Sequence, residues 1–329
     1  MKKNILTESL KNRNIILLFI FIVIFLYFSI FTRDFFNYYN IVNLTKYGVE
    51  IGLLALAETL IIISGKGGID LSIGSILSLS AMTIGVLGGR MGINIWISVL
   101  VGIGVATLAG LLNGIAVSLI KIPPLLVTLS TMYIYDSIAL LISMDQYGNA
   151  MPISNFPENY LFLGQKDLFN IPLQLIIVFI PIIIILHLIL SKTVYGKRLY
   201  AIGSNDKVAK FSGIPNNRVR IIAYTLGGFL AGIAAMVMTS RIASARPDLG
   251  ANLNLRAITI AVLGGTNIIG GEGTIIGTVI AIFLITVLNN GMQLSGVNPI
   301  WQDGVLGIIL VASAIVNFII YKKMNSSKS

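Results

Sequence analysis

Apolar runs long enough to cross a bilayer follow one another along almost the whole chain and leave room for little else. A helix needs about 20 apolar residues to span the hydrocarbon core. Such runs are centred near 15–32, 47–64, 70–88, 93–120, 122–143, 171–190, 219–239, 257–270, 274–290 and 303–321. Ten crossings consume most of 329 residues, so no soluble catalytic or nucleotide-binding domain fits beside them. The expected fold is an all-α polytopic membrane protein, a single transmembrane domain over 1–329. The charged fraction agrees: 11% here, against about a quarter in a soluble domain. The run 93–120 is overlong and reads as tilted or as ending in a turn before Pro123-Pro124. The run 257–270 is short and ends in glycines, which reads as a broken or re-entrant segment covered by protein.

Orientation follows from Lys and Arg. They cluster before the first run (Lys2, Lys3, Lys11, Arg13), in the loop at 191–219 (Lys192, Lys197, Arg198, Lys207, Lys210, Arg218), and in the tail (Lys322, Lys323, Lys328). An even number of spans puts both termini and that loop on one side, the cytoplasm. The net charge of +10 is read as this bias plus attraction to anionic lipid, with no nucleic-acid partner. The run at 15–31 is followed by bulky Thr32-Arg33-Asp34, with no small-residue cleavage site, and so reads as a retained first helix.

Several chemistries are excluded. There is no cysteine, hence no disulfide or thiolate metal site. No GxxxxGK[ST] occurs, and Gly65-Lys66-Gly67-Gly68 lies between apolar runs, without the strand-turn-helix setting of a phosphate loop. No catalytic triad or acidic metal cluster appears, and the lone His187 sits in an apolar run and reads as a packed histidine. Energy for transport must come from a partner or a gradient.

Acids at membrane depth face protein or a watery path. Glu58, Asp70 and Asp136 lie in or beside spans. Asp70, close to Ser72, reads first as a helix N-terminal cap and second as path lining. Asp136, amid Tyr133, Tyr135 and Ser137, is the better path candidate; Ser72 and Asn289 complete the path set. Glycines spaced by four (Gly110/Gly114, Gly228/Gly232, Gly273/Gly277) favour close helix packing. Gly67-Gly68…Gly74-Ser75 recurs as Gly270-Gly271…Gly277-Thr278, from shared helix-start chemistry or a parallel repeat.

In the basic loop, Ser204 is placed to cap a short helix that Gly213 and Pro215 stop. Such a helix is either the object another subunit's groove receives or a lipid-hugging linker.

The stretches Gly68-Ile69-Asp70-Leu71-Ser72-Ile73-Gly74-Ser75, Tyr200-Ala201-Ile202-Gly203-Ser204-Asn205…Phe211-Ser212-Gly213-Ile214 and Ala261-Val262-Leu263-Gly264-Gly265-Thr266…Gly270-Gly271-Glu272-Gly273, then Leu288-Asn289-Asn290-Gly291, resemble the permeases of ribose-type sugar ABC importers. The resemblance implies a dimeric permease, a cytoplasmic ATPase with two nucleotide-binding halves, and an extracytoplasmic sugar-binding protein. It implies that ATP and Mg sit on the ATPase, with no cofactor on this chain. It implies that the segment 204–214 couples to the ATPase, with Gly203, Ser204, Asn205, Ala209, Ser212, Gly213 and Ile214 as contact residues. Relatives in that family carry other sugars, autoinducer-2 and nucleosides. Where the family pattern has acids, this chain has Asn254-Leu255-Arg256, expected near the outer surface. Arg241, Arg246 and Arg256 fall on the side where positive charge is scarce, and are read as docking residues for the binding protein or as lipid anchors and local ion pairs. The rival class is a stand-alone secondary carrier, against which the sparse polar core and the docking-type loop both argue.

The orientation has a direct check. A reporter active only outside the cell should be silent when fused after Ser329 and active when inserted near Asn159. The opposite pattern removes the ten-span topology.

Overall fold

The computed structural model describes residues 13–326, with side chains from 14 to 315. Lys2, Lys3, Lys11 and Lys328 lie outside the described residues, as do the side chains of Arg13, Lys322 and Lys323. The chain is helical almost throughout. In order it forms α1 (Arg13–Phe31), α2 (Tyr38–Ile63), α3 (Ile73–Ile84), α4 (Ile95–Ile115), α5 (Pro124–Ser143), α6 (Glu158–Gln165), α7 (Ile180–Lys192), α8 (Val194–Ser204), α9 (Asp206–Phe211), α10 (Asn216–Ile242), α11 (Leu253–Leu263), α12 (Ile275–Leu294) and α13 (Pro299–Ser326). Short π-helical turns extend α3 (Gly85–Arg90) and α4 (Ala116–Ile120) and lead into α7 (Leu175–Phe179). A two-residue hairpin, β1 (Asp167–Leu168) with β2 (Ile171–Pro172), follows α6 and is a small exception to an all-helical expectation.

Among the described residues, seven stretches are long and apolar enough to cross a membrane: Asn14–Phe31, Ile73–Arg90, Ile95–Ile120, Pro124–Ser143, Leu175–Lys192, Asn216–Ile242 and Ile275–Leu294. The chain is thus a polytopic helical membrane protein. The helix α2 is long enough, at 26 residues, but carries Lys46, Glu50 and Glu58. It is nevertheless the central element, buried without interruption from Gly48 to Gly65. A helix that is apolar around its circumference belongs inside the protein, and α2 packs against α10, α11 and α12. The 11-residue α11 rises only ~16 Å, about half the hydrocarbon core. The expectation of a broken span near 257–270 therefore holds.

A second break was not foreseen. After α10 the chain pairs Ala245 with Ile153 at the level of Gly85, then turns inward until Gly250 meets Gly74 near the start of α3. The segment 65–72 between α2 and α3 is also non-helical, and it turns back along α2 until Asp70 lies beside Glu58. Two irregular segments therefore abut inside the bundle. Backbone can approach this closely only where side chains are missing. A Cβ on Gly250 would lie 1.8 Å from the Gly74 carbonyl oxygen, and one on Gly203 1.9 Å from that of Ile63. The glycine echo has the same local meaning in both copies: Gly74 and Gly277 each sit in the first turn of a helix against another segment's carbonyl, Gly250 and Gly264 respectively.

These contacts predict unequal costs for equal chemistry. Gly250→Ala should lower stability by at least the ~1–3 kcal/mol typical of core overpacking. Gly104→Ala, with open space around it, should be neutral or gain up to ~1 kcal/mol from helix propensity. Thermal melts of the two variants in one detergent decide the matter.

Candidate functional site: a cleft beside α5 and an exposed helical tip

The residues around the broken segments answer a backbone problem first. Inside a bilayer every N–H and C=O needs an internal partner. Along 69–72 several of these partners are side chains, beside backbone bonds such as Gly68 N–H to the Gly65 carbonyl. The Thr128 hydroxyl donates to the Ile69 carbonyl at 3.1 Å, and Asn254 Nδ2 donates to that of Leu71 at 2.9 Å. The Asp70 N–H reaches Glu58 Oε2 at 3.4 Å, and the Ser72 N–H donates to Asp70 Oδ1 at 2.8 Å. The Ser72 hydroxyl also donates to Asp70 Oδ1, at 2.6 Å, and Asn113 Nδ2 donates to Ser72 Oγ at 2.8 Å. Asp70 and Ser72 are thus buried members of a packed network. Asp70 is not a helix cap: the cap position of α3 is Ser72, which makes no side-chain cap bond, and the Asp70 carboxylate instead accepts the N–H of Ser72 itself. Their assignment to the translocation path is corrected: both are buried against Asn113 and not open to a cleft. Asn254, expected near the outer surface, instead holds the broken backbone.

Asp136 is different. It lies past the middle of the twenty-residue α5 and is exposed on this chain. It lines a cleft of about 310 Å³ with Ser75, Met132, Asp248, Asn252 and Asn254 among others. A carboxylate exposed at this depth is too costly against lipid, so this face belongs to a watery path or to another chain. Asn289 sits apart, in the wall of a second cavity of about 340 Å³ between Tyr47, Arg241, Arg256 and Gln302.

The three arginines are each partnered. Arg241 pairs through Nε and Nη2 with both oxygens of buried Glu50, the Nη2–Oε2 distance being 3.0 Å. Arg256 donates to the Tyr47 hydroxyl and to Asp303, each at 2.9 Å. Arg246 forms a two-toothed pair with Asp248 on the same turn, at 2.9 and 3.0 Å. Only Arg246 stands exposed. Arg241 and Arg256 thus form local ion pairs, that of Arg241 with a buried acid and that of Arg256 with the exposed Asp303.

At the end of the bundle where α2 closes, α8 and α9 form a hooked tip. Asn205, not Ser204, is the cap of α9: its Oδ1 accepts the N–H groups of Lys207 and Val208, each at 3.1 Å. Ser204 is the last residue of α8. Gly213, at φ +78°, ends the helix as its position suggested. Ala209 is buried and Ile214 half-buried, with the Ile214 N–H bonded to the Ala209 carbonyl. Ala209 therefore faces inward and is no contact residue. The outward face is Val208 and Phe211, the latter 92% exposed, flanked by Lys207 and Lys210. Ser212, whose hydroxyl bonds the Val208 carbonyl, and Gly213 are exposed beside it. Gly203 is packed against Ile63 and Gly271. In the first turn, burial alone would raise the Asp206 carboxyl, but the hydrogen bond and charge of Arg220, with Lys66, hold it below its ordinary value. A depressed carboxylate keeps its interaction above the ordinary value of 3.8 and loses it only in more acidic solution. The tip is thus ionised at any physiological pH.

Comparison with known proteins fits this arrangement. Residues 40–314 match the family described as "Branched-chain amino acid transport system / permease component". The chain belongs to this family. It is 36% identical over 303 residues to the ribose import permease protein RbsC of Bacillus subtilis (strain 168), covering 91% of this chain and 90% of the relative. It is 37% identical over 266 residues to the autoinducer 2 import system permease protein LsrD of Escherichia coli (strain K12), with 80% and 79% covered, and equally to that of Shigella flexneri. No solved structure matches it. The chain is accordingly the permease component of an ABC importer, a multi-pass protein of the inner (plasma) membrane and not itself a catalyst.

The buried Glu50–Arg241 pair predicts a sharp asymmetry. Arg241→Met strands a buried carboxylate and should cost about 3–5 kcal/mol, whereas the double change with Glu50→Gln should recover most of it. Yield and melting temperature of the three purified variants test this.

Proposed function

We propose that this permease imports a small polyhydroxylated solute, a ribose-like sugar, with autoinducer-2 as the runner-up. The observation that carries the reading is the cleft at Asp136. Carboxylates accept from hydroxyls and carboxamides both donate and accept; Asp136, Asp248, Asn252 and Asn254 offer that mixture at membrane depth. The relatives named for ribose and autoinducer 2 import support the same class. Ten membrane helices (α1 to α5, α7 and α10 to α13) leave α6 outside and α8 and α9 inside, with both termini cytoplasmic. Two copies of the chain face each other across the exposed Asp136 side. A binding protein delivers the solute from outside, with Arg246 in its footprint. The exposed Phe211 and Val208 dock in a groove of an ATPase, which holds ATP and Mg. That apolar tip favours an ATPase-driven system over a stand-alone carrier, since an exposed aromatic ring on a basic loop is otherwise an aggregation liability.

Co-purification and uptake in nanodiscs or vesicles test both halves. Phe211→Asp should abolish ATPase binding while the permease still inserts. Asp136→Asn should keep ATPase binding but reduce uptake roughly 10–100-fold, the loss of a charge-assisted hydrogen bond worth about 1.5–3 kcal/mol. Unchanged uptake by Asp136→Asn sinks the cleft assignment, and retained ATPase with Phe211→Asp sinks the docking tip.

A further inference from the structure

Asp206 stands where three elements meet. Its Oδ1 accepts from Arg220 Nη2 of α10 at 2.8 Å and from Asn216 Nδ2 at 3.1 Å. Its Oδ2 lies 3.2 Å from Lys66 Nζ, in the turn after α2. Asn216 Nδ2 also donates to its backbone carbonyl at 2.7 Å. Arg220 is wholly buried and spends a second bond of the same nitrogen, 3.1 Å, on the Ser64 carbonyl that closes α2. The coupling helix is therefore tied by one carboxylate both to the central helix and to the start of the broken segment 65–72.

Two further facts make that tie stiff. The backbones of Gly65, Gly203, Gly270 and Gly271 pack without side chains between them: a Cβ on Gly203 would lie 2.4 Å from the Gly271 nitrogen, and one on Gly270 2.3 Å from Gly65 Cα. Lys66 itself is left-handed, at φ 61°, a conformation that costs an ordinary residue roughly 1–2 kcal/mol. Glycine would hold that turn without strain, and its neighbours Gly65 and Gly67 do so. A lysine kept in this geometry points to its ammonium group as the reason.

We infer that Asp206 and Lys66 form the joint through which a displacement of α9 reaches the solute cleft. The route is short and covalent beyond the joint: Lys66, then 67–72, then Ser75, which lines the cleft together with Asp136. Asn254 and Thr128, bonded to the carbonyls of Leu71 and Ile69, carry the same movement to α11 and α5. Asp206 and Lys66 are positioning residues. They touch neither the solute nor the exposed face of the tip, and their effect is on the ATP spent per solute moved.

The inference rests on α9 being the ATPase contact, and the experiment separates the two. In the complete complex with ATPase and binding protein, Lys66→Gly removes the ammonium and also the left-handed strain. Its melting temperature should hold or rise, its ATPase should stay bound and active, and ATP hydrolysed per solute should rise about tenfold or more. Lys66→Arg should behave as the parent chain, and Asp206→Asn should share the coupling defect. A purely structural role predicts the reverse for Lys66→Gly: altered stability with an unchanged ratio. A parental ratio in both Lys66→Gly and Asp206→Asn, with the ATPase bound, overturns the joint. If Asp206→Asn fails to assemble, Lys66→Gly and Lys66→Arg decide alone. Loss of ATPase binding belongs to Phe211→Asp, so its failure there tells against the docking tip and not against the joint.

Discussion

A broken backbone inside a membrane is the constraint on which this molecule depends. Around Asp70 and Gly250 the backbone is buried, so its N–H and C=O groups must be satisfied by protein. Side chains meet part of the need: Glu58 from α2, Thr128 from α5 and Asn254 from α11. Ser78 adds an acceptor for the Gly250 N–H at 2.9 Å. These groups are polar because the backbone is irregular. The irregular backbone in turn opens the cleft beside α5, since a continuous helix would fill that space with its own side chains.

Glycine makes the same architecture sterically possible. Gly110 and Gly228 bring α4 and α10 into direct backbone contact, and Gly74 and Gly250 do so for the two broken segments. Without a hydrophobic drive between helices in lipid, such close packing and internal hydrogen bonds hold the bundle together. The same close packing at Gly203 and Gly271 joins the cytoplasmic tip to α2. Cleft and tip are accordingly parts of one packed body.

The charges at depth divide by environment. Glu50 is buried against Arg241, and its partner compensates it. Glu58 and Asp70 serve backbone N–H groups. Among the described acids of the spans, Asp136 is the one exposed at mid-helix, in the wall of the cleft. Arg241 and Arg256 were attractive as docking residues by sequence position, yet position along a chain says nothing of which acid lies across the bundle. Glu50 is 191 residues from Arg241.

By itself the sequence determined the class of the molecule: apolar runs of spanning length force a helical membrane protein. It also determined the short helix before Gly213, because capping and stopping are local chemistry, and the broken span near 257–270, because its apolar run is too short. Only the tertiary structure decided which way side chains face. Ala209 and Phe211 lie two residues apart on one short helix, yet one is buried and the other almost fully exposed, since that depends on what packs against α9. The descent of 245–252 was equally invisible, because a polar, turn-rich stretch reads as an outer loop until a protein surface at depth supplies its hydrogen bonds. Asp206, unremarkable beyond its place in a first helical turn, became a junction only when Lys66 and Arg220 arrived from elsewhere in the chain. Long-range pairing of this kind leaves no local signature, and so the fold was legible in the sequence while the joint and the cleft were not.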